Sequence, residues 1–151
     1  MTAWNMRKSP GSGFARHDQG NSFGLGATLL IVDDQPLVAE YMANAAEDWG
    51  WVATAACTAD EVEAQLNVAH PQAIALDLDM PGKDGVEFLR SLSAHGYRGG
   101  VFIISACDQS VVETSARLGE QLGLNIIGYA QKPVTSDDFA ALLERTVQSK
   151  H

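Results

Sequence analysis

At 151 residues, 46% hydrophobic and 19% charged, the chain has the composition of one globular domain and not of a disordered segment. Its formal net charge is −9, and residues 27–151 alone hold 18 acidic against 7 basic residues. Such an acidic body repels nucleic-acid phosphates and anionic lipid, so direct contact with nucleic acid or a membrane is not expected. No apolar run has the length of a membrane span, and no signal peptide follows Arg7 and Lys8, so a cytoplasmic location is expected. Cys57 and Cys107 fit no metal-ligand spacing and read as reduced, part-buried residues.

Residues 1–26 place five glycines among Ser, Asn, Gln and Pro10, the composition of a flexible tail, and a domain over 27–151 follows. Thr28–Val32 reads as a strand buried on both faces. The helix after it carries an apolar stripe of Leu37, Val38, Tyr41, Met42, Ala45, Ala46 and Trp49 and stops at Gly50. A second strand covers Trp51–Ala56. Thr58 and Glu61 form a capping box for a second helix that turns Val62, Leu66 and Ala69 inward. Ala73–Leu76 is a third strand and ends in Asp77. After a Met80-Pro81-Gly82 turn, Val86, Phe88 and Leu89 begin a helix that ends near Gly96. Val101–Ile104 forms a fourth strand, followed by a helix carrying Val111, Val112, Leu118 and Leu122. Asn125–Ala130 is a fifth strand, and a last helix from Ser136 buries Phe139, Leu142, Leu143 and Val147. Strands and helices in alternation imply parallel βαβ units, an α/β doubly wound (βα)5 fold with helices on both faces of a five-stranded sheet.

Ligands of such folds bind beyond the carboxyl ends of the strands. Asp33 and Asp34 lie there after the first strand, Asp77 after the third, Ser105 after the fourth and Lys132 after the fifth. Taken alone, Asp33-Asp34 reads equally well as a loop and helix cap. Three clustered carboxylates, however, repel one another unless a cation joins them, and hard oxygen donors of this kind suit Mg²⁺. Ser105 can donate to a phosphoryl oxygen, and the Lys132 ammonium can neutralise charge that develops on another. Pro133 restricts the backbone of Lys132 at the strand end.

The segments Ile31-Val32-Asp33-Asp34, Asp77-Leu78-Asp79-Met80-Pro81-Gly82-Lys83-Asp84-Gly85, Ser105-Ala106 and Lys132-Pro133 together resemble the signature of response-regulator receiver domains. The resemblance spans residues 28–148. It implies a flavodoxin-like, CheY-like three-layer sandwich with strand order 2-1-3-4-5. It further implies Asp77 as phosphoacceptor, with Asp33, Asp34, Asp77 and the backbone carbonyl of Asp79 around Mg²⁺. The Ser105 hydroxyl and the Ala106 amide would contact the phosphoryl group and Lys132 would pair with it. Ser105 and Tyr129 would form the switch. The phosphoryl donor would be a histidine kinase or a histidine phosphotransfer protein, and the receiver would catalyse its own modification and reversal without turning over a free metabolite.

Three features depart from the family's commonest pattern. The stretch from Ser105 to Lys132 is about one helical turn longer, which resembles receivers attached to cyclic-di-GMP phosphodiesterases. The Asp79 side chain adds negative charge beside the acceptor, and Cys107 occupies a position that the family uses to tune phosphoryl lifetime. Two other readings compete. A haloacid-dehalogenase-type phosphatase would use Asp77 and Asp79, but it needs Asp137 or Asp138, which fall where helix-dipole effects alone favour carboxylates. A receiver-fold interaction module without phosphorylation would dispense with some of the acidic site that is complete here. A fragment cut from a longer kinase or regulator is a further competing reading; if the chain is complete, the reading is a stand-alone receiver. Its signal would leave through the face of the fourth helix, fifth strand and fifth helix, toward a downstream protein target or a homodimer.

Overall fold

The computed structural model describes residues 26–68, 70–79 and 85–148. The tail before Gly26, Ala69, the Met80-Pro81-Gly82 turn and the Val147 side chain lie outside the described residues. In chain order the elements are β1 (Thr28–Val32), α1 (Pro36–Asp48), β2 (Val52–Ala56), α2 (Ala59–Val68) and β3 (Ala73–Asp77), followed by α3 (Gly85–Ala94), β4 (Gly100–Ser105), α4 (Gln109–Gln121), β5 (Asn125–Gln131) and α5 (Ser136–Gln148). All pairings are parallel, in the order β2-β1-β3-β4-β5.

The inner strands are apolar runs because helices cover both faces: every residue of β3 and of β4 is buried. One face packs Ile31 and Phe102 against Met42 of α1 and Phe139 of α5, with the two Phe rings edge to face at 6.1 Å. The other face packs Leu30, Ile74, Leu76 and Ile103 against Val62, Phe88, Leu92 and Val112 of α2, α3 and α4. Gly50 and Gly96, the expected helix stops, take φ of +90° and +69°, which β-carbons disfavour. Thr58 Oγ1 accepts the Glu61 N–H as a cap does, but Glu61 Oε1 reaches back to the Cys57 N–H (2.6 Å), not to that of Thr58.

Two helices are rotated from the expected stripes. In α1, Leu37 (80% exposed) and Tyr41 face outward, as does Trp49 at its C-cap, while Ala39, Met42, Ala43, Ala45 and Ala46 are buried. Small side chains let the helix axis approach the sheet, and the large apolar residues stay outside that seam. In α4, Val111 is exposed and Leu118 half-buried; the inward row is Val112, Ser115, Ala116 and Gly119. A β-carbon on Gly119 would come within 2.7 Å of Ile126, so this helix also approaches by virtue of a small residue.

The register of β4 on β5 shifts once. Val101 pairs with Ile126 and Phe102 with Gly128, leaving Ile127 as an additional residue. The pairing then runs to Ser105 opposite Gln131, and the Lys132 N–H donates to the Ser105 carbonyl (2.9 Å). This bond holds the end of β5 beside the end of β4.

Candidate functional site

Asp33, Asp77, Ser105 and Lys132 stand at the carboxyl edge of the sheet because each ends or follows a parallel strand. Carboxylate oxygens of Asp33, Asp34 and Asp77 lie within 4.8 Å of one another. Asp33 and Asp77 are buried and Asp34 is half-buried. The Lys132 ammonium bridges the two buried groups, 3.0 Å from Asp33 Oδ2 and 3.1 Å from Asp77 Oδ2. Their other oxygens accept backbone N–H groups, Asp33 Oδ1 from Gln35 and Asp77 Oδ1 from Asp79, both at 2.9 Å. Two buried carboxylates are thereby aimed and held by one cation and two amides.

Burial pushes the Asp77 carboxyl above its ordinary range, and the Asp33 charge adds to the rise; the Asp79 N–H and Lys132 oppose it. Burial acts to lower the Lys132 pKa, but hydrogen bonds to Asp33 and Asp77 overcome it and hold the ammonium above its usual value. Among the described residues, three carboxylates against one ammonium leave a local excess of two negative charges even with Lys132 present. Clustered hard oxygens with surplus negative charge are the donor set that a divalent cation of the Mg²⁺ type takes.

The Asp79 side chain has a role that the sequence did not disclose. Its Oδ1 accepts the Ser105 hydroxyl and the Cys107 thiol, each at 3.0 Å, and its Oδ2 accepts the Ala106 N–H at 2.8 Å. Burial acts to raise this carboxyl, but the donors from Cys107, Ala106 and Ser105, with the Lys132 charge, hold it below the ordinary range. The Cys107 N–H donates to Ser105 Oγ (2.9 Å), which directs the hydroxyl proton toward Asp79. Gln131, absent from the sequence-derived site, fastens this loop by donating Nε2–H to the Cys107 carbonyl at 2.6 Å. Tyr129 is 40% exposed, and its hydroxyl donates to Glu113 Oε2 on α4 at 3.3 Å. An open groove of about 710 Å³ flanks Lys132, with Leu37, Tyr41, Pro133 and Thr135 along it.

The sequence matches the family described as response regulator receiver domain over residues 29–144, well over half of the chain. The chain belongs to that family. Among curated relatives of this receiver, the Positive alginate biosynthesis regulatory protein of Pseudomonas aeruginosa is 28% identical over 120 residues, covering 78% of this chain and 46% of that protein. Transcriptional regulatory protein CitB of Klebsiella pneumoniae is 31% identical, covering 78% and 49%. Cyclic di-GMP phosphodiesterase RocR of Pseudomonas aeruginosa is 29% identical, covering 78% and 30%. The chain thus spans half or less of the length of these relatives. Among solved structures, the receiver domain of Francisella response regulator 1452 superposes with a TM-score of 0.70 at 23% identity, covering 83% of this chain and all of that one. Chemotaxis response regulator CheY4 of Vibrio cholerae gives 0.69 at 20% identity, covering 80% and 98%. At these identities the structures speak for the fold, which is the receiver fold expected from sequence.

Family membership decides against the phosphatase alternative. Consistently, Asp137 and Asp138 are exposed in the first turn of α5, where Thr135 Oγ1 accepts the Asp138 N–H at 3.0 Å. Both cysteines are free and half-buried, as expected. Among the described residues, no helix is long and apolar enough to cross a membrane.

Proposed function

We propose that this receiver takes a phosphoryl group onto Asp77 and signals through a phosphorylation-dependent protein surface in the cytoplasm. The observation that carries this reading is the Lys132 ammonium bridging the buried Asp33 and Asp77 carboxylates at the sheet's ligand-binding edge. Asp33, Asp34, Asp77 and the Asp79 carbonyl would hold Mg²⁺, which when bound offsets negative charge on the oxygens of the transferring group. An Asp77 oxygen attacks the phosphorus of a phosphohistidine on a histidine kinase or phosphotransfer protein. The phosphorus–nitrogen bond breaks, its electron pair leaves with the imidazole, and an acyl phosphate remains. Lys132 stays close enough to Asp77 to neutralise charge spreading over the phosphoryl oxygens, and the Ser105 hydroxyl and Ala106 N–H can donate to them. Attack by water at phosphorus later restores Asp77. The apolar groove beside Lys132 offers contact area for the partner that presents the phosphohistidine.

The test is incubation with a small phosphodonor and Mg²⁺, followed by intact mass. One added phosphoryl group is expected, and chelation of the metal is expected to suppress it. A mass unchanged under both conditions would favour the interaction-module reading instead.

Output follows from what adjoins the site. Ser105 lies at the end of β4, and Tyr129 lies on β5 against α4, so a change at the phosphoryl group has little distance to travel. Phosphorylation adds charge and acceptor oxygens, and it shifts the population of the exposed Tyr129 ring toward an inward position. The α4–β5–α5 face then binds a downstream protein or a second copy. Arg117 and Glu120 are exposed on α4. Reversing either charge should weaken phosphorylation-dependent association, measured by sedimentation or pull-down, while labelling of Asp77 stays at the wild-type level. Intact association across all exposed substitutions on this face would move the output surface elsewhere.

A further inference from the structure

We propose that the Asp79 carboxylate is an internal occupant of the anion subsite formed by Ser105 and Ala106, which an incoming phosphoryl group must displace. The inference rests on the reading of Asp77 as phosphoacceptor, because that reading makes these donors the ones that meet phosphoryl oxygens. The geometry is that of a bound anion. Both oxygens of one carboxylate are engaged, Oδ1 by Ser105 Oγ and Cys107 Sγ at 3.0 Å and Oδ2 by the Ala106 N–H at 2.8 Å. The Ser105 hydroxyl accepts from the Cys107 N–H, so its single proton is committed to Asp79. Ser105 is fully buried and Asp79 itself is exposed, so the occupant can swing out into solvent while the donors stay fixed.

Two consequences follow for an external anion. The donors are free only in the fraction of molecules whose Asp79 side chain has left, and apparent affinity falls by that fraction. A carboxylate that has left but remains nearby repels the anion as well. Occupancy also separates two events usually treated as one. Ser105 is already drawn onto an anion, yet Tyr129 remains outward on Glu113, so the internal occupant engages the hydroxyl without turning the aromatic ring. Asp79 is thus a brake on phosphoryl entry and not a substitute for the phosphorylated state.

The experiment titrates inorganic phosphate, in the presence of Mg²⁺, into the full chain, its Asp79→Ala variant and its Asp79→Asn variant. The Ala106 amide resonance is the reporter. Before phosphate is added, that resonance should shift in Asp79→Ala, since its acceptor is gone. The half-saturating phosphate concentration should then be at least tenfold lower in Asp79→Ala than in wild type, with Asp79→Asn between them. Equal half-saturation in all three proteins, or no phosphate response in Asp79→Ala, overturns the inference. Labelling by a small phosphodonor is measured in parallel and should be faster in Asp79→Ala. Absence of labelling in every protein would sink the phosphoacceptor reading alone, and the phosphate titration would still decide who occupies the subsite.

Discussion

Asp77→Asn is expected to abolish phosphodonor labelling while leaving the fold intact. The substitution keeps the size of the side chain and one oxygen, but an amide has no carboxylate to attack phosphorus. Its stability should not confuse the result. Burial and the Asp33 charge raise the Asp77 pKa in the folded protein, so the folded state holds this proton more tightly than the unfolded chain does. Stability from this group is therefore lost as pH rises from its unfolded value, about 3.9, through the folded one. Asn never ionises and escapes that cost, while Lys132 keeps Asp33 as partner. In chelator at pH 7 the variant should unfold at or above the wild-type temperature. Labelling that persists undiminished in a folded Asp77→Asn protein would place the acceptor on another side chain.

Lys132→Met carries the second large effect, and it is one of stability as well as chemistry. Among the described residues the ammonium is the one cation between the two buried carboxylates, and its removal leaves Asp33 and Asp77 facing each other. Breaking a buried ion pair on one side costs about 3 kcal/mol at the lower end, the appropriate end here because the Lys132 side chain is 17% exposed. For a domain of this size that is a fall of roughly 10 °C in unfolding temperature, measured in chelator by calorimetry. Mg²⁺ at a hundredfold excess over its dissociation constant returns about 2.7 kcal/mol, so most of the loss should vanish when the metal is added. The pH dependence has a defined sense. The pKa of Lys132 is raised above 10.5 in the folded protein, so its contribution is complete below that pH and is lost as pH rises through the folded value. The variant should lack this alkaline limb. Labelling should fall about 10²- to 10³-fold, as when one charge-stabilising donor is removed. An unchanged unfolding temperature in chelator would show that the ammonium does not hold the carboxylates in place.

The strands were legible because burial on both faces leaves nothing polar in Leu29–Val32, Ala73–Leu76 or Val101–Ile104 until each run ends. Those endings form the candidate site, so Asp33, Asp77, Ser105 and Lys132 could be placed together by counting. Helix facing was less legible. Apolar periodicity gives weight to bulk, which favoured Leu37, Tyr41 and Val111, whereas the seams in α1 and α4 are lined by Ala39, Ala43, Ser115 and Gly119. Close approach selects small residues, and a small residue leaves a weak periodic signal. The Asp79 carboxylate escaped for a different reason. The resemblance implied a role for its backbone carbonyl, but the direction of a side chain just past a strand depends on the loop, and nothing in the order of residues shows that Ser105, Ala106 and Cys107 converge on it.

The register shift in β5 has a consequence for how this strand can change over evolution. Ile126 packs toward α4 and Ile127 toward α5, in strict alternation. With Ile127 outside the pairing, Gly128 also turns to the α5 side, where a β-carbon would meet Arg145 and Leu142. From that point odd and even exchange meaning: Tyr129 faces Glu113 of α4, and Ala130 joins the core under α1 and α5. Losing Ile127 alone would remove the shift and keep Tyr129 on the α4 side, since Ile126, Gly128 and Tyr129 would then alternate as in a regular strand. Losing two residues there would turn the phenol to the α5 side and hand the outer position to a methyl group. Insertions and deletions in this stretch are therefore constrained in number more than in kind, and the aromatic position depends as much on a count as on the residue that fills it.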